Sequence, residues 1–232
     1  MAYKVLIAGA SRGLGRFLAQ RYLENGDVVF AGVRNADAPH IAELKAKFGE
    51  RLVAVKMDVA DTASVNDAVK VVSAHTDSLD MLIFNAGIHC DSSFKPLQDA
   101  DLDECLEVYN INAVGSLRVI KGFDAFLKDG AKVINISSDS GSVGLNPRTK
   151  EFDYCMSKAA LNMASKMMQN YFDDVGRSVR VLVVQPGWMR TDMGSMAADL
   201  DPYETACKLV DLFAAYDGDA LFTDNDGVEL PW

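Results

Sequence analysis

A tyrosine and a lysine lie four positions apart in the stretch YCMSK, at Tyr154 and Lys158. In an α-helix this spacing puts both side chains on one face, one turn apart. A free phenol has a pKa of about 10, too high for a base at neutral pH, and a neighbouring ammonium favours the phenolate. The pair could therefore transfer protons, although a solvated pair on a helix surface has the same spacing. The rest of the chain decides between these interpretations.

The elements that would position this pair alternate between short apolar runs and longer amphipathic stretches. The runs, rich in valine and isoleucine, occupy residues 3–8, 27–33, 51–57, 80–85, 131–137 and 178–185. Helix-like stretches occupy residues 13–25, 40–48, 62–75, 101–127, 152–175 and 203–215. Such continuous apolar runs are typical of strands buried on both faces of a parallel sheet. We predict one α/β domain, 1–232, with a Rossmann-type doubly wound parallel sheet of about seven strands and helices on both faces. The last strand would be short, at 219–222.

Composition excludes several classes of protein. The chain has 232 residues and a formal net charge of −10, which disfavours binding to nucleic acid or to anionic membranes. Its four cysteines and three histidines form no cluster with metal-ligand spacing, so no metal site is expected. The apolar run before the first glycines is too short for a signal peptide or a membrane span. We therefore expect a cytoplasmic protein with free thiols.

The first strand leads into GASRGLG, which contains Gly9, Gly13 and Gly15. A strand, a glycine turn and a helix N-terminus together form a phosphate-binding device. The glycines let the backbone approach the anion, and the helix N–H groups face it. Here the spacing is GxxxGxG rather than GxGxxG, and turns alone also need glycine. Its place after the first buried strand favours a dinucleotide site.

The end of the second strand predicts which dinucleotide is bound. A site specific for NAD usually carries an acidic residue here for the ribose 2′-hydroxyl. This strand ends in Arg34, and no carboxylate follows until Asp37. Arg34, together with Arg12 in the glycine turn, could bind a 2′-phosphate. The sequence therefore predicts NADP(H) in preference to NAD(H), unless both arginines are only solvated.

Over nearly its whole length the chain resembles the short-chain dehydrogenase/reductase family. The matching pieces are GASRGLG (9–15), Asp58-Val59, Asn85-Ala86-Gly87, Asn112, Ser138, Tyr154 with Lys158, and Pro186-Gly187 with Thr191. Within the family it is most similar to C-factor and sniffer-type carbonyl reductases, through YCMSKAALNM (154–163), QPGWMRTDMG (185–194) and FTDNDGVELPW (222–232).

The resemblance implies a set of catalytic residues. Tyr154 would exchange a proton with a carbonyl or alcohol oxygen while a hydride moves to or from the nicotinamide. Lys158 would lower the pKa of Tyr154 and bind the nicotinamide ribose. Ser138 would donate to the substrate oxygen, and its neighbour Ser137 would face the other side of the strand. Asn112 would hold a water that links to Lys158, whereas the nearby Asn110 would lie on another face.

The resemblance also implies a cofactor-binding set. Asp58 would bind the adenine amino group, and Asn85 to Gly87 would form a ledge beside the adenosine ribose. The full set is Gly9, Ser11, Arg12, Gly13, Leu14, Gly15, Arg34, Asp58, Val59, Asn85, Ala86, Gly87, Tyr154, Lys158, Pro186, Gly187, Met189 and Thr191.

Two loops are predicted to contact the substrate. Residues 186–203 form the predicted substrate loop, where an apolar pocket could be lined by Trp188, Met189, Met193 and Met196. The segment 145–153 is polar where sniffer-type relatives often carry a glycine pair. In it Arg148, Lys150, Glu151 and Asp153 could shape the pocket mouth or only contact water.

Two hypotheses about function remain open at this point. The first is an NADPH-dependent reductase of a ketone, aldehyde or quinone, with a small-molecule carbonyl or alcohol as its only partner besides other subunits. The second is an NAD(P)-binding signalling or regulatory protein of the C-factor type. In either case we expect a homodimer or homotetramer through the helices at 101–127 and 152–175. The surplus apolar residues behind this expectation are Ala159, Leu161, Met163, Met167 and Met168.

Overall fold

A parallel sheet forms the centre of the computed structural model, which describes residues 2–218 and 221–232. Its strands are β1 (Lys4–Ala8), β2 (Val28–Val33), β3 (Leu52–Lys56), β4 (Leu79–Phe84), β5 (Leu127–Ile136), β6 (Arg180–Val184) and β7 (Phe222–Thr223). They lie in the order β3-β2-β1-β4-β5-β6-β7, and each adjacent pair is parallel. The order reverses between β1 and β4, which is the switch point where such a sheet opens a crevice. The predicted fold class is confirmed.

Helices cover both faces of this sheet. They are α1 (Gly13–Glu24), α2 (Pro39–Phe48), α3 (Thr62–Ser73), α4 (Glu104–Tyr109), α5 (Gly115–Phe123), α6 (Phe152–Asp174) and α7 (Pro202–Ala215). Successive strand residues point to opposite faces. Val5 and Ile7 therefore pack in the core with α1, α2 and α7, whereas Leu6 and Ala8 pack in the core with α3, α5 and α6. No helix within the described ranges is long and apolar enough to cross a membrane.

Two predicted elements differ clearly from the observed ones. The helix predicted at 101–127 begins at Glu104 and is interrupted by a π-helical turn at Asn110–Val114. Strand β5 begins at Leu127 rather than at 131, because buried Leu127 pairs with Leu79 across a register shift. The intervening polar residues 128–130 gave no strand pattern in the sequence. Of the last strand predicted at 219–222, residues 219 and 220 lie outside the described residues.

A buried polar network fixes β5 to the helices that carry the site. Ser116 Oγ donates to Asn135 Oδ1 at 2.8 Å, and Asn135 Nδ2 donates to Ser165 Oγ at 2.9 Å. All three residues are fully buried. Buried polar groups that are satisfied in this way specify one packing arrangement. The network therefore fixes the end of β5 relative to α5 and α6.

Candidate active site

The carboxyl ends of β1 to β6 meet around a cavity of about 610 Å³. Because all these strands are parallel, the turns that follow them lie on one edge of the sheet. The predicted site residues that line the cavity are Gly9, Ser11, Arg12, Gly13, Leu14, Arg34, Asp58, Val59, Asn85, Ala86, Gly87, Ser138, Tyr154, Lys158, Pro186, Gly187, Met189 and Thr191. Two of the predicted residues, Gly15 and Asn112, are not part of the lining.

The glycine turn after β1 is held too closely for other side chains. Gly9 has a φ of 91°, and a Cβ on it would lie 2.7 Å from the Ala86 nitrogen. A Cβ on Gly15 would overlap the carbonyl oxygen of Gly9, which accepts a hydrogen bond from Asn85 Nδ2 at 2.8 Å. Gly15 therefore lies beneath the turn, where it lets α1 pack closely against the chain leaving β1. Its role is indirect, which corrects its expected place in the lining.

The N-terminus of α1 fits an anionic ligand. Its N-cap residue, Arg12, makes no side-chain capping bond, and the first turn contains no acidic residue. The free N–H groups and the helix dipole at such an end attract a phosphate. Arg12 and the exposed Arg34 line the same part of the cavity, while Asp37 is absent from the lining. The residues present therefore fit a dinucleotide, with arginine rather than carboxylate at the end of β2.

The two serines that follow β5 have different surroundings. Ser137 is buried, and its Oγ donates to Asn162 Oδ1 at 2.6 Å. Ser138 Oγ lies 3.0 Å from both Asp139 Oδ1 and Ser140 Oγ. Both serines contribute to the lining of the cavity. The Ser137 hydroxyl is engaged with α6, whereas the Ser138 hydroxyl is held within a polar turn beside the cavity.

Tyr154 and Lys158 lie one turn apart in α6, with Nζ of the lysine 5.5 Å from the centroid of the phenol ring. Lys158 is only 3% exposed, and its Nζ donates to the carbonyl oxygen of Ile136 at 2.8 Å. Burial lowers the pKa of Lys158 from 10.5 to about 8. The ammonium is therefore held in place by β5 and poorly solvated.

The pKa of Tyr154 moves opposite to the expected direction. Burial raises it well above its usual value, and the carboxylates of Glu151 and Asp139 raise it further. The neighbouring Ser138 hydroxyl and the Arg148 guanidinium lower it but do not compensate. The expected net lowering of the Tyr154 pKa is therefore not found in this structure, because desolvation of the phenolate dominates. Tyr154 is consequently protonated at neutral pH and has a proton to give.

Asn112 lies behind the cavity wall, in the π-helical turn, and is fully buried. Its Oδ1 accepts from the Ile88 nitrogen at 2.8 Å, and its Nδ2 donates to the Ile88 oxygen at 2.8 Å and to Ser157 Oγ at 3.0 Å. Both amide hydrogens are therefore used. Gly87 separates Asn112 from Lys158: a Cβ at this position would lie 3.5 Å from Asn112 Oδ1 and 3.6 Å from Lys158 Nζ.

Asn110 faces away from the site, as predicted. Its Nδ2 donates to the Ala60 oxygen at 3.3 Å, and its Oδ1 accepts from Arg118 Nη2 at 2.8 Å. π-Helical turns are rare and frequently occur at functional sites. Nothing in the sequence NINAVG indicated such a turn. Here it directs Asn112 toward the cavity wall and Asn110 away from the site.

The substrate end of the cavity was predicted only in part. Trp188, Met189 and Met193 line it as expected, whereas Met196 is 79% exposed and absent from the lining. Arg148 and Glu151 also line it, but Lys150 does not. Asp153 is buried outside the cavity, where it accepts hydrogen bonds from Ser93 Oγ and from the Cys90 nitrogen.

His89 and Phe94 are lining residues that were not predicted from the sequence. Their rings are in edge contact, with centroids 5.1 Å apart. They follow β4 in a segment without periodicity, so only their position after a strand could have indicated them. Within residues 2–218 and 221–232, no three His, Cys, Asp or Glu side chains are grouped so that they could hold a metal ion.

A crevice at the switch point of a Rossmann-type sheet, with serine, tyrosine and lysine at one end, is the site of a dinucleotide-dependent oxidoreductase. The chain belongs to the short-chain dehydrogenase family, whose sequence profile matches residues 3–200. C-signal of Myxococcus xanthus is 36% identical over 163 residues, which cover 68% of this chain and 95% of that protein.

Two solved structures are similar over the whole chain. Carbonyl reductase Sniffer of D. melanogaster superposes with a TM-score of 0.91 at 25% identity, covering 100% of both chains. The NADPH-bound carbonyl reductase from chicken fatty liver superposes with a TM-score of 0.88 at 28% identity, covering 100% of this chain and 99% of that one. The predicted family and the predicted oxidoreductase activity are confirmed.

Proposed function

We propose that the protein reduces a ketone, aldehyde or quinone to an alcohol with NADPH as the hydride source. The observation that carries the proposal is the arrangement of Tyr154, which lines the same cavity as Ser138 and lies one helical turn from buried Lys158. Both solved structures described above are of carbonyl reductases, which supports reduction of a carbonyl.

The protein's own residues then perform the proton chemistry. When bound, the reduced nicotinamide supplies a hydride to the carbonyl carbon. Ser138 donates a hydrogen bond to the carbonyl oxygen, where negative charge develops. Tyr154 transfers its proton to that oxygen, and the alcohol forms. Lys158 stabilises the resulting phenolate by its charge and holds the nicotinamide ribose.

Reprotonation of Tyr154 is assigned to the space beside Gly87. Asn112 Oδ1 keeps one lone pair after its bond from Ile88, and Lys158 Nζ lies on the other side of Gly87. The proposed water would bridge these two groups. Because both amide hydrogens of Asn112 are engaged elsewhere, its side chain would act on the water only as an acceptor.

The cofactor is assigned to the glycine turn and the arginines. Arg34 and Arg12 would bind the 2′-phosphate, Asp58 the adenine, and Thr191 the nicotinamide side of the cofactor. The chicken carbonyl reductase structure is bound to NADPH, which supports this preference. The remaining cofactor-binding residues are proposed as they were predicted from the sequence, with Gly15 acting beneath the turn.

The similarity to C-signal keeps a second candidate, a cofactor-binding signalling protein. Such a protein would not need a serine, a tyrosine and a lysine arranged for proton transfer. The intact catalytic set therefore favours the reductase. A cytoplasmic location stays part of the proposal.

The test is NADPH oxidation with a panel of activated ketones, aldehydes and quinones, in the native protein and in Tyr154→Phe. Losing the general acid should cut turnover at least ~100-fold, while NADPH binding, measured by cofactor fluorescence, should be nearly intact. Tyr171→Phe is the matched control, because Tyr171 lies on the same helix but is exposed and outside the cavity. Native-like ketone reduction by Tyr154→Phe would contradict the assignment of the acid.

We also propose self-association through α4, α5 and α6. Met163 and Met167 are each 63% exposed, and Leu106 and Tyr109 expose further apolar surface. Two of the residues first invoked, Leu161 and Met168, are instead buried in the core. Light scattering should therefore give a multiple of the 25.2 kDa subunit mass. Met163→Glu with Met167→Glu should give monomers, whereas Val71→Glu, at an exposed position of α3, should not. A native monomer at micromolar concentration would refute this proposal.

A further inference from the structure

Three charged side chains form one connected group at the substrate end, here called the rim triad: Asp139, Arg148 and Glu151. Arg148 Nη2 donates to Asp139 Oδ1 at 3.1 Å and to Oδ2 at 3.2 Å, and its Nε donates to Glu151 Oε2 at 3.1 Å. All three residues line the cavity and are only partly exposed. Two carboxylates and one guanidinium leave the triad with a net charge of about −1 at neutral pH.

The rim triad is attached directly to the residues proposed for catalysis. Asp139 follows Ser138 and lies within hydrogen-bond distance of its hydroxyl. Glu151 precedes α6 in a left-handed conformation, with φ 61° and ψ 38°, and its nitrogen donates to the Ser93 oxygen at 2.7 Å. The charges of the triad also act on the Tyr154 phenol. Any substrate whose carbonyl reaches Tyr154 and Ser138 must therefore pass close to this group.

The other charged residues of the lining do not cancel the triad. Lys158 is buried against the Ile136 carbonyl and assigned to the ribose. Asp192 lies 3.7 Å from Arg12, and this pair, like Arg34 and Asp58, is in the part of the lining assigned to the cofactor. Arg148 itself already makes three hydrogen bonds to carboxylate oxygens, so a substrate carboxylate would have to displace one of them. The triad should therefore repel an anionic group of the substrate rather than bind it.

The wall provided by the other loops is aromatic and apolar. Trp188 and Phe94 line the cavity with about half of their surface exposed, and Met193 lies beside them in the lining. Aromatic faces bind apolar bodies and also attract cations. The negative triad and the aromatic wall therefore both favour cationic groups, and the wall also favours apolar ones.

We propose that the rim triad makes the protein selective for neutral or cationic carbonyl compounds with an apolar body, and that it rejects anionic ones. The proposal rests on the reductase function proposed above and adds its substrate class. Arg148 acts as a positioning residue within it, since it holds both carboxylates at the opening.

The test compares three ketones of similar shape: para-ethylacetophenone, para-acetylphenylacetate and the para-acetylbenzyl trimethylammonium ion. A methylene group insulates each charge from the carbonyl, so that intrinsic reactivity stays matched. We would measure kcat/KM with NADPH and, separately, the dissociation constant of each ketone from the protein saturated with NADP⁺. At low ionic strength the cationic ketone should have a kcat/KM about tenfold higher, and a dissociation constant about tenfold lower, than the anionic one, and added salt should bring both ratios closer to one.

Variants test whether the rim triad causes this charge preference. Asp139→Asn with Glu151→Gln should bring the ratio of cationic to anionic kcat/KM near one or invert it, and Arg148→Gln should enlarge it. The control for charge is Asp67→Asn with Glu50→Gln, two exposed carboxylates away from the cavity, which should leave the ratio unchanged.

The outcomes separate this inference from the proposed function. Turnover of all three ketones without charge preference, or a preference for the anion that Arg148→Gln abolishes, would overturn the substrate class while the reductase function stands. The predicted order in binding without any turnover would support the rim triad but sink the reductase. If no ketone binds to the NADP⁺ complex or is turned over, both proposals fail.

Discussion

The two ends of the cavity are formed by different parts of the chain, one by backbone and the other by side chains. At the cofactor end the backbone forms the surface, and the turn is so tight that a Cβ on Gly9 would lie 2.7 Å from a neighbouring nitrogen. At the substrate end the surface consists of side chains from the segments after β4, β5 and β6, including half-exposed Trp188 and Phe94. Covalent geometry dictates the first end, whereas a few replaceable side chains dictate the second. The same scaffold can thus keep one cofactor and change its substrate.

Lys158 is the residue that we propose both ends use, and its replacement should have the largest effect that distinguishes them. Lys158→Met should weaken NADPH binding and cut turnover by at least ~100-fold, because one ammonium is proposed to serve the ribose and the phenol. Kinetics and cofactor titration measure the two losses separately. Lys166→Met, at an exposed position on the same helix, should leave both unchanged. Loss of turnover with native cofactor affinity would assign Lys158 to the substrate end alone.

The same variant should be more stable than the native protein. The folded state lowers the pKa of Lys158 from 10.5 to about 8, so the unfolded state binds more protons between these pH values. Native stability should therefore rise as pH increases from about 8 to about 10.5, and the full cost, on the order of 3 kcal/mol, should apply below pH 8. Lys158→Met removes this cost together with one hydrogen bond to Ile136. Urea unfolding at several pH values should show a flatter profile and a higher stability than that of the native protein at pH 7; a lower stability would mean that the hydrogen bond dominates.

The contrast between a cofactor end formed by backbone and a substrate end formed by side chains also explains which site residues could be predicted from the sequence. Gly9 and Gly15 were identifiable because positive φ and close approach demand glycine, and Tyr154 with Lys158 because the helical period is fixed. Ser138 was assigned through the family resemblance, and strand alternation then placed its neighbour Ser137 on the other side. The signals for the glycines and for the spacing of Tyr154 and Lys158 are local in the chain.

The features that escaped prediction depend on tertiary packing. The π-helical turn around Asn112 leaves no local signature, and neither does the early start of β5 at Leu127. His89 and Phe94 enter the lining only because the segment after β4 folds over the crevice. The raised pKa of Tyr154 results from burial, which the spacing of two residues does not report.

The smallest effect concerns the cofactor end and tests whether a side chain matters there at all. Arg34 is exposed at the end of β2, so its contact with a 2′-phosphate should be charge-assisted but well solvated. Arg34→Ala should therefore weaken NADPH binding about tenfold, near the lower limit for such a bond, and leave NADH binding almost unchanged. Arg16→Ala is the control, because Arg16 lies on α1 beside Glu43 and outside the lining. If the native protein binds both dinucleotides equally, or if Arg34→Ala weakens both, then the glycine turn and the N-terminus of α1 bind the cofactor without reading its ribose, and the backbone alone defines this end of the cavity.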